Sequence, residues 1–432
     1  MPSKVIIGLQ WGDEGKGKVV DNLVHQWADV CVRYQGGPNA GHTIYDEEGT
    51  KHVTHALPSG VLKNGCINII AKGCVVEPVS LYKELSSYSK TQLLISDQCP
   101  LILPHHVIWD RFKYQGKIGT TAKGIGPAYS EYIARDNKTL FDLCYKFDDV
   151  KDYVSSKLTR ISAFETGEAF EEIFNDYLKL NGFNASESVD IRFTPRKIEN
   201  FLEKEYFPQL KKIADDIRRR LINSDQHIQD LYQQQKNIIL EGAQGWGLDV
   251  WGRSYPNVTS SSPNIGGVLT ATGLNHKQID EVIGIVKLYK SKVGEGLHNT
   301  QSDFEANISY DNVDEVREIL GEFGATTGRP RRLGWLNLDE VTAACKTNGV
   351  DRIVITRIDS IGEIMTPHSS IKVYFDSEYL GYSAWLAENL CTDEEAFLTQ
   401  PDLLFFIEDV KKITGVKEIS LSYGPKRNQL KW

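Results

Sequence analysis

The sequence lacks the features of secreted, membrane-spanning and zinc-stabilised proteins. It has seven cysteines, an odd number, and no Cys-x-x-Cys pair, so we expect neither a disulfide framework nor a structural zinc. No apolar run approaches the roughly 18 residues of a membrane-spanning helix, and the N-terminus has no apolar signal segment. We therefore expect a cytoplasmic protein with reduced thiols and no membrane partner.

An excess of positive charge is also missing, as are internal repeats and low-complexity linkers. The formal net charge of −9 argues against general binding to nucleic acid or to an anionic membrane, so any phosphate site has to be local. The 432 residues, 41% of them hydrophobic and 25% charged, are typical of a globular chain with a large core. Since no linker divides the chain, we predict a single domain over residues 1–432.

Short apolar runs typical of buried strands recur along the chain. They lie at residues 5–7, 67–70, 93–95, 238–240, 282–286, 353–355 and 419–421, with helical patterns between many of them. Strands that alternate with helices indicate an α/β protein. We predict a P-loop-like α/β fold with a largely parallel central sheet and helical insertions. The stretch at about 142–235, rich in charged residues with helical periodicity, is expected to be a helical subdomain.

A phosphate-binding loop follows the first apolar run directly. Residues 8–18 read Gly-Leu-Gln-Trp-Gly-Asp-Glu-Gly-Lys-Gly-Lys, in which Gly12, Gly17 and Lys18 match the G-x-x-x-x-G-K pattern. In this pattern backbone N–H groups cradle phosphates and the Lys meets the outer ones. The apolar residues that follow have helical spacing, so the loop ends at a helix N-terminus that favours an anion. The alternative is a glycine-rich turn with solvated charges.

The residue after Lys18 departs from the pattern. Val19 occupies the position where an ordinary P-loop has a Ser or Thr that ligates Mg²⁺, and a valine cannot ligate a metal. Asp13, inside the loop, is the nearest candidate for a hard oxygen ligand.

Other glycine-rich polar segments suit a nucleotide site. Asn39 and Gly41 flank His42 in a flexible turn; a lone His is more often a satisfied surface or core residue, but this setting favours a catalytic or phosphate-binding role. Thr120 and Thr121 lie in a segment that could form an anion nest. Gln244 follows the strand at 238–240, at the carboxyl end where open α/β sheets bind ligands.

Two further segments suggest recognition of anions and of a base. Residues 324–332 combine glycines and hydroxyls with Arg329, Arg331 and Arg332, and the fork of an Arg suits carboxylates and phosphates. A solvated basic turn is the alternative. Asp359 ends the polar stretch after the strand at 353–355. Its carboxylate could accept from N1–H and the 2-amino group of guanine, donors that adenine lacks.

Taken together and in this order, these segments resemble adenylosuccinate synthetase over essentially the whole chain. The loop at 10–18, the Asn-Ala-Gly-His-Thr box at 39–43 and the Gly-Ala-Thr-Thr-Gly-Arg box at 324–329 carry the resemblance. It implies a homodimeric ligase of purine biosynthesis that joins L-aspartate to IMP through 6-phosphoryl-IMP, giving adenylosuccinate, GDP and phosphate. GTP would be the co-substrate, with one Mg²⁺ per subunit.

The resemblance also implies roles for individual residues. Asp13 would be the general base that removes the N1 proton of IMP, and with the carbonyl of Gly41 it would ligate Mg²⁺. His42 would stabilise charge on the transferring phosphoryl group, and Gln244 would be a third catalytic residue. Arg135 would reach the IMP phosphate bound by the partner subunit.

Three binding sets follow from the same resemblance. GTP would be bound by Gly12, Glu14, Gly15, Lys16, Gly17, Lys18, Gly41, Thr43, Arg331, Arg357, Asp359, Ser422 and Gly424. IMP would be bound by Asp13, Asn39, Ala40, His42, Thr121, Arg135, Gln244, Thr259 and Arg329. Aspartate would be bound by Ala325, Thr326, Thr327, Gly328, Arg329 and Arg331.

Departures from the family pattern leave an alternative open. Arg357 stands where the family usually has a Lys before the guanine-reading Asp, and residues 293–300 replace a stretch that usually contains Gly-Pro-Phe-Pro-Thr. The alternative is a divergent paralogue acting on a related 6-oxopurine nucleotide, in a deoxy or 2-amino form. A GTPase switch conflicts with Val19, and an inactive scaffold conflicts with the presence of Asp13 and His42.

Overall fold

The structure is a computed structural model of the chain. It describes residues 2–46, 48–88, 90–114, 120–164, 168–183, 195–295, 300–307, 313–324, 328–360, 364, 370–383 and 397–432. A large, mostly parallel central sheet with helices around it confirms the predicted fold class. Within the described ranges, no helix is both long and apolar enough to cross a membrane.

The strands form one large sheet and two small ones. Their bounds are β1 Ser3–Gly8, β2 Val30–Arg33, β3 His42–Tyr45, β4 Lys51–Thr54, β5 Ile67–Ile70, β6 Gln92–Ser96, β7 Leu221–Ile222, β8 Ile238–Glu241, β9 Glu281–Lys287, β10 Tyr289–Lys292, β11 Arg332–Asn337, β12 Arg352–Thr356, β13 Ser370–Phe375, β14 Glu378–Ser383, β15 Glu418–Ser422 and β16 Leu430–Lys431. The central sheet has the order β16-β15-β12-β9-β1-β8-β2-β5-β6-β7. Its neighbours are parallel except β15 and β16, which are antiparallel.

The α-helices lie between these strands. They are α1 Lys16–Gln26, α2 Pro78–Ser86, α3 Pro104–Tyr114, α4 Ile125–Ile133, α5 Leu140–Tyr145, α6 Phe147–Phe164, α7 Glu168–Asn181, α8 Pro195–Phe201, α9 Phe207–Ile217, α10 Ser224–Gln233, α11 Ile265–Thr272, α12 Gln301–Asn307, α13 Val313–Leu320, α14 Leu338–Asn348 and α15 Pro401–Thr414. A π-helical turn, Leu202–Tyr206, joins α8 to α9.

The first strand shows why the sheet is buried on both faces. Val5 and Ile7 pack in one cluster with residues of α10 and α11, while Ile6 packs on the opposite face with residues of α1. Successive side chains of a strand point to opposite faces, so an apolar run without alternation is what a doubly covered parallel strand requires. All seven apolar runs predicted as strands lie in the central sheet.

The stretch at 142–235 is helical over most of its described part, with α5 to α10 and the two-residue strand β7. Helices α5 to α9 share one hydrophobic cluster with residues of α2 and β6, whereas α10 packs in the cluster that contains Val5 and Ile7 of β1. Strand β7 pairs with β6 at the edge of the central sheet. The interpretation of this stretch as a separate subdomain stays a prediction.

Candidate active site

The candidate residues gather at the carboxyl edge of the central sheet. Asp13 and its loop follow β1, Gln244 follows β8 and Asp359 follows β12. These strands lie side by side with β9 in the order β12-β9-β1-β8. In a parallel sheet their carboxyl ends share one edge, which is where open α/β sheets bind ligands.

Glu14 fills the inside of the phosphate-binding loop. Its Oε1 accepts hydrogen bonds from the backbone N–H of Gln10 (3.2 Å) and of Gly12 (2.8 Å), and its Oε2 lies 2.6 Å from Nζ of Lys16. A Cβ at Gly8 or at Gly245 would come within 2.4 Å of this carboxylate, so both positions need glycine. The loop therefore holds a buried internal carboxylate, with Lys16 as its counter-ion.

Lys18 is directed to the C-terminal loop. Its Nζ donates to Oγ of Ser422 (2.9 Å) and to the backbone carbonyls of Tyr423 (2.7 Å), Gly424 (2.8 Å) and Gln429 (2.8 Å). Burial lowers the pKa of Lys18 to about 7, against the attraction of Asp359. In this structure Lys18 thus connects the phosphate-binding loop to the segment that carries Gly424, and a direct contact with phosphate stays a prediction.

Val19 is fully buried in the cluster between α1 and the sheet. Its side chain belongs to the core and offers no oxygen to a metal. The side chain of Asp13, by contrast, is 37% exposed, and its backbone is left-handed with φ 60°. Asp13 therefore presents a carboxylate oxygen, the donor chemistry that Mg²⁺ prefers, where Val19 presents none.

His42 is held by a buried carboxylate that we did not single out from the sequence. At the start of β3, its Nδ1 contacts Oε1 of Glu241, and Oγ and the backbone N–H of Ser59 donate to the same carboxylate at 2.7 and 2.8 Å. Arg33 lies 3.5 Å from Glu241. Burial would raise the pKa of Glu241, but its contacts with His42, Arg33 and Ser59 lower it to about 2.

The same surroundings determine the protonation of His42. Burial and the neighbouring Arg33 charge lower the pKa of His42, so the ring is neutral near pH 7 in the free protein. Because an ionised carboxylate only accepts hydrogen bonds, the contact assigns the proton to Nδ1. The imidazole of His42 is thus held through Nδ1. A Cβ at Gly17 would come within 3.0 Å of the His42 Cβ, so β3 packs tightly on the phosphate-binding loop.

Asp13 is paired with Arg331. Nη2 of Arg331 lies 3.0 Å from Oδ2 of Asp13, and its Nη1 lies 2.7 Å from Oε2 of Glu322. Glu322 is buried and also accepts from Lys287 (2.7 Å) and from the hydroxyl of Tyr289 (2.5 Å). Burial would raise the pKa of Glu322, but the charges of Lys287 and Arg331 hold it well below its usual range.

Gln244 lies beside the phosphate-binding loop. A Cβ at Gly12 would be 3.6 Å from its Cα, and one at Gly36 would be 3.3 Å from its Oε1. This oxygen is buried and has no hydrogen-bond partner among the described residues. A buried polar atom without a partner is costly, so Oε1 of Gln244 marks a place for a ligand donor.

The rest of the predicted IMP set lies in neighbouring loops. Ala40 precedes β3, and its carbonyl accepts from Nδ1 of His55 (2.8 Å). The backbone N–H of Thr259 donates to Leu248 (2.8 Å). Nη2 of Arg329 donates to the carbonyl of Thr120 (3.1 Å), which brings the loop of Arg329 to the one that carries Thr121.

The two carboxylate oxygens of Asp359 differ in their hydrogen bonding. Its Oδ2 accepts from the backbone N–H of Gly424 (2.8 Å), whereas its Oδ1 is buried and has no hydrogen-bond partner in the described parts of the chain. Arg357, two residues before, has φ 62°, and its Nη2 donates to the carbonyl of Leu320 (2.9 Å). The orphaned oxygen of Asp359 is consistent with the predicted guanine contact.

Arg135 is exposed at the end of α4, with φ 65°. The helix behind it is fixed by Glu131, which accepts from His105 (3.2 Å), His106 (2.8 Å) and Lys157 (2.9 Å). The single chain thus places Arg135 on the surface, as a contact across a dimer would require, and that contact itself stays a prediction.

His105, His106 and Glu131 are also close enough to hold a metal ion. The backbone N–H of Leu103 donates to Nδ1 of His106 (2.9 Å), so the proton of this imidazole lies on Nε2, which donates to Glu131. A protonated nitrogen has no lone pair for a metal. Burial lowers the pKa of His105 to about 3. We interpret the cluster as a neutral-histidine network that binds the Glu131 carboxylate.

Part of the predicted aspartate set, Ala325, Thr326 and Thr327, lies outside the described residues, as do 296–299 of the departing segment. Gly328 (φ 63°) and Arg329 are described at the loop's end. Three buried charged residues of the site were not predicted from the sequence: Glu241, Glu322 and Lys287. Glu241 and Lys287 each directly follow an apolar strand pattern, and a charge in such a place was the available signal, since charges are rarely buried without a partner. Glu322 follows α13 and had no such signal.

Comparisons with known proteins agree with the motifs. The family model of adenylosuccinate synthetase matches residues 5–384. The adenylosuccinate synthetase of Thermodesulfovibrio yellowstonii is 39% identical over 371 residues, which cover 84% of this chain and 79% of that protein. The fully ligated adenylosuccinate synthetase of Plasmodium falciparum is similar in structure, with a TM-score of 0.79 and 25% identity over 100% of this chain and 99% of that one.

A second solved structure is similar in fold. The succinoaminodeoxyadenylate synthetase of cyanophage S-2L, solved with dGMP and dATP, has a TM-score of 0.59 and 17% identity, covering 99% of this chain and 94% of that one. At this identity the likeness extends to the fold alone.

Proposed function

The chain belongs to the adenylosuccinate synthetase family, and from this premise we propose how its own residues carry out the reaction. The protein is a carbon–nitrogen ligase of purine biosynthesis that joins L-aspartate to IMP and hydrolyses GTP, giving adenylosuccinate, GDP and phosphate. The observation that carries the assignment of residues is the gathering of Asp13, Gln244 and Asp359 at one carboxyl edge of the sheet. His42 is joined to this edge by its contact with Glu241, the last residue of β8.

In the first step Asp13 takes the N1 proton of IMP. The 6-oxygen, made more nucleophilic by this loss, attacks the γ-phosphoryl group of GTP, and 6-phosphoryl-IMP and GDP form. Oxygen at C6 is a poor leaving group until it is phosphorylated, so this step prepares the ring for the amine. The exposure of Asp13, in contrast to the burial of Glu14, supports Asp13 as the carboxylate that reaches substrate.

His42 stabilises the charge that develops on the transferring phosphoryl group. Glu241 holds Nδ1 and leaves Nε2 for the phosphate. An anion near Nε2 and the carboxylate behind Nδ1 both favour the imidazolium, so His42 gains its proton when GTP binds. Glu241 acts as a positioning residue, as a carboxylate does behind a catalytic imidazole.

In the second step the amine of aspartate attacks C6 and phosphate leaves. Arg329 and Arg331, with Ala325 to Gly328, bind the carboxylates of aspartate in this proposal. Nε of Arg331 is buried and has no hydrogen-bond partner among the described residues, which supports a carboxylate ligand at this side chain. Asn39, Ala40, Thr121, Gln244 and Thr259 hold IMP.

Mg²⁺ fits the donor chemistry that the chain offers. The carboxylate of Asp13 and the carbonyl of Gly41 are hard oxygen donors, and they replace the hydroxyl that the buried Val19 cannot supply. When bound, Mg²⁺ would neutralise part of the phosphate charge. We also propose a homodimer in which Arg135 contacts the IMP phosphate of the partner, and a cytoplasmic location.

The alternative substrate, a deoxy or 2-amino 6-oxopurine nucleotide, has less support. The synthetase of T. yellowstonii is 39% identical to the chain, whereas the phage enzyme that was solved with dGMP is similar in fold alone.

The test is release of phosphate from GTP, with IMP and aspartate each omitted in turn, together with detection of adenylosuccinate. Release should require both. Phosphate release that is independent of IMP and aspartate would exclude the proposed ligase.

A further inference from the structure

Glu322 is a buried carboxylate at the base of the segment predicted to bind aspartate. It is 1% exposed and accepts hydrogen bonds from Nζ of Lys287 (2.7 Å), the hydroxyl of Tyr289 (2.5 Å) and Nη1 of Arg331 (2.7 Å). Lys287 ends β9 and Tyr289 begins β10. Glu322 therefore attaches its segment to the central sheet from inside.

The backbone on either side of Glu322 pairs with the backbone on either side of Arg331. The N–H of Arg331 donates to the carbonyl of Glu322 (3.0 Å), and the N–H of Gly324 donates to the carbonyl of Arg329 (2.8 Å). Phe323 and Pro330 form a bridge between these pairs. Glu322 and Arg331 are thus held opposite each other by the backbone.

The three nitrogens of the Arg331 guanidinium differ in their partners. Nη1 is held by Glu322, whereas Nη2 lies on Asp13 and Nε is buried without a partner among the described residues. Nε and Nη2 form the side edge of a guanidinium, which can bind both oxygens of one carboxylate. Asp13 uses half of this edge in the free protein, and because Asp13 is 37% exposed it can turn away.

We propose that Glu322 is a positioning residue for aspartate: it fixes Nη1 of Arg331 and so presents the Nε–Nη2 edge of Arg331 to a carboxylate of the substrate. Lys287 and Tyr289 hold Glu322 in place for this purpose. The inference rests on the proposed function, because the carboxylate concerned is that of aspartate. Glu322 itself touches no substrate and acts only through the orientation of Arg331.

The test has to separate positioning from charge balance. Glu322→Gln alone leaves Lys287 and Arg331 buried with one carboxylate less, and breaking a buried pair in this way is strongly destabilising. The double variant Lys287→Met/Glu322→Gln removes one charge of each sign, so the balance is restored while Arg331 still lacks its anionic partner. Thermal unfolding of the double variant should therefore lie close to that of the wild type.

Steady-state kinetics with each substrate varied give the decisive readout. In the double variant the KM for aspartate should rise about 10- to 100-fold, as expected for a lost charge-assisted hydrogen bond, while the KM for IMP stays within about threefold. At saturating aspartate kcat should fall much less than kcat/KM. Tyr289→Phe, which removes one donor to Glu322 and no charge, should raise the KM for aspartate about 2- to 10-fold.

Glu281→Gln is the matched control. Glu281 also has one Lys and one Arg partner, Lys4 (2.7 Å) and Arg352 (3.1 Å), but it begins β9 at the opposite edge of the sheet. The KM values of the Glu281→Gln variant for aspartate and IMP should equal those of the wild type.

Two results would overturn the proposal, and they differ. If the wild type forms adenylosuccinate and the folded double variant has a normal KM for aspartate, Glu322 has only a structural role. If the wild type forms no adenylosuccinate, the proposed function fails and the role of Glu322 toward aspartate fails with it.

Discussion

Replacing Asp359 with Asn should change which nucleoside triphosphate the protein uses. The two oxygens of Asp359 are not equivalent, since Oδ2 accepts from the backbone N–H of Gly424 (2.8 Å) and Oδ1 is buried without a partner in the described residues. In the Asp359→Asn variant the new side chain keeps its carbonyl on Gly424, because that N–H needs an acceptor. Its NH₂ group then occupies the place of Oδ1.

The magnitude follows from this orientation. Guanine offers two donors, N1–H and the 2-amino group, and the NH₂ of the introduced amide would place a donor against one of them. A hydrogen bond to a charged group contributes about 1.5–3 kcal/mol, so kcat/KM for GTP should fall about 10- to 150-fold. XTP has an oxo group in place of the 2-amino group and matches the new donor, so its kcat/KM should rise.

The assay is phosphate release with GTP or XTP varied at saturating IMP and aspartate. Asp351→Asn is the matched control, because Asp351 also accepts from a backbone N–H, that of Val282 (2.8 Å), but precedes β12, while Asp359 follows it. The control should keep the preference of the wild type. A GTP-to-XTP ratio that is the same in Asp359→Asn and in the wild type would show that guanine is read elsewhere.

Three further predictions concern the rest of the site. Glu241→Gln removes the carboxylate that favours a protonated His42, so kcat should fall by about 10²–10⁴-fold; a kcat within tenfold of wild type would contradict the role of Glu241. The pKa of Lys18 is lowered to about 7, so above that pH the ammonium loses a proton and a donor to the C-terminal loop, and the KM for GTP should rise with pH. Lys18→Met should remove this pH dependence, and a flat profile in the wild type would refute it. Asp13→Asn and Arg135→Leu proteins, each nearly inactive at low IMP, should recover about a quarter of wild-type activity when mixed, since about half of randomly exchanged two-fold dimers have one intact site; hybrids without activity would place Arg135 outside the partner's site.

Strands and the loops that follow them could be predicted from the sequence where the pattern lies within a few neighbouring residues. A short, mostly apolar run of three to five residues predicts a strand buried on both faces, and the glycine-rich loop directly after β1 predicts a phosphate site. For this reason the strands around Asp13, Gln244 and Asp359 and their place at one edge of the sheet could be predicted. Strand β10 shows the limit: Tyr289–Lys292 has the pattern of a polar segment, yet Lys290 and Lys292 are 1% and 2% exposed.

Pairings between distant residues could not be predicted in this way. Glu241 contacts His42, which is 199 positions away in the sequence. The residues next to either one do not predict this contact. Lys18 is a clearer case, because the local motif predicts a phosphate contact while the fold directs its ammonium to carbonyls about 405 positions away. Local chemistry identifies which residues are available, and the three-dimensional arrangement decides what each of them contacts.

The site offers cations to anionic substrates although the net charge of the protein is −9. Its buried cations lie against internal carboxylates: Lys16 against Glu14, Arg33 against Glu241, and Lys287 and Arg331 against Glu322. These three carboxylates are 0–1% exposed, and moving them would leave a buried charge unpaired, which is costly.

Asp13 differs because it is 37% exposed and shares Arg331 with Glu322. It can leave Arg331 without losing solvation, and Arg331 keeps a counter-ion when it does. The carboxylate that is free to move is thus the one to which the proton transfer is assigned, and its departure opens the edge of Arg331 to a substrate carboxylate. Binding of aspartate and release of Asp13 for catalysis would then be two consequences of one exchange of partners.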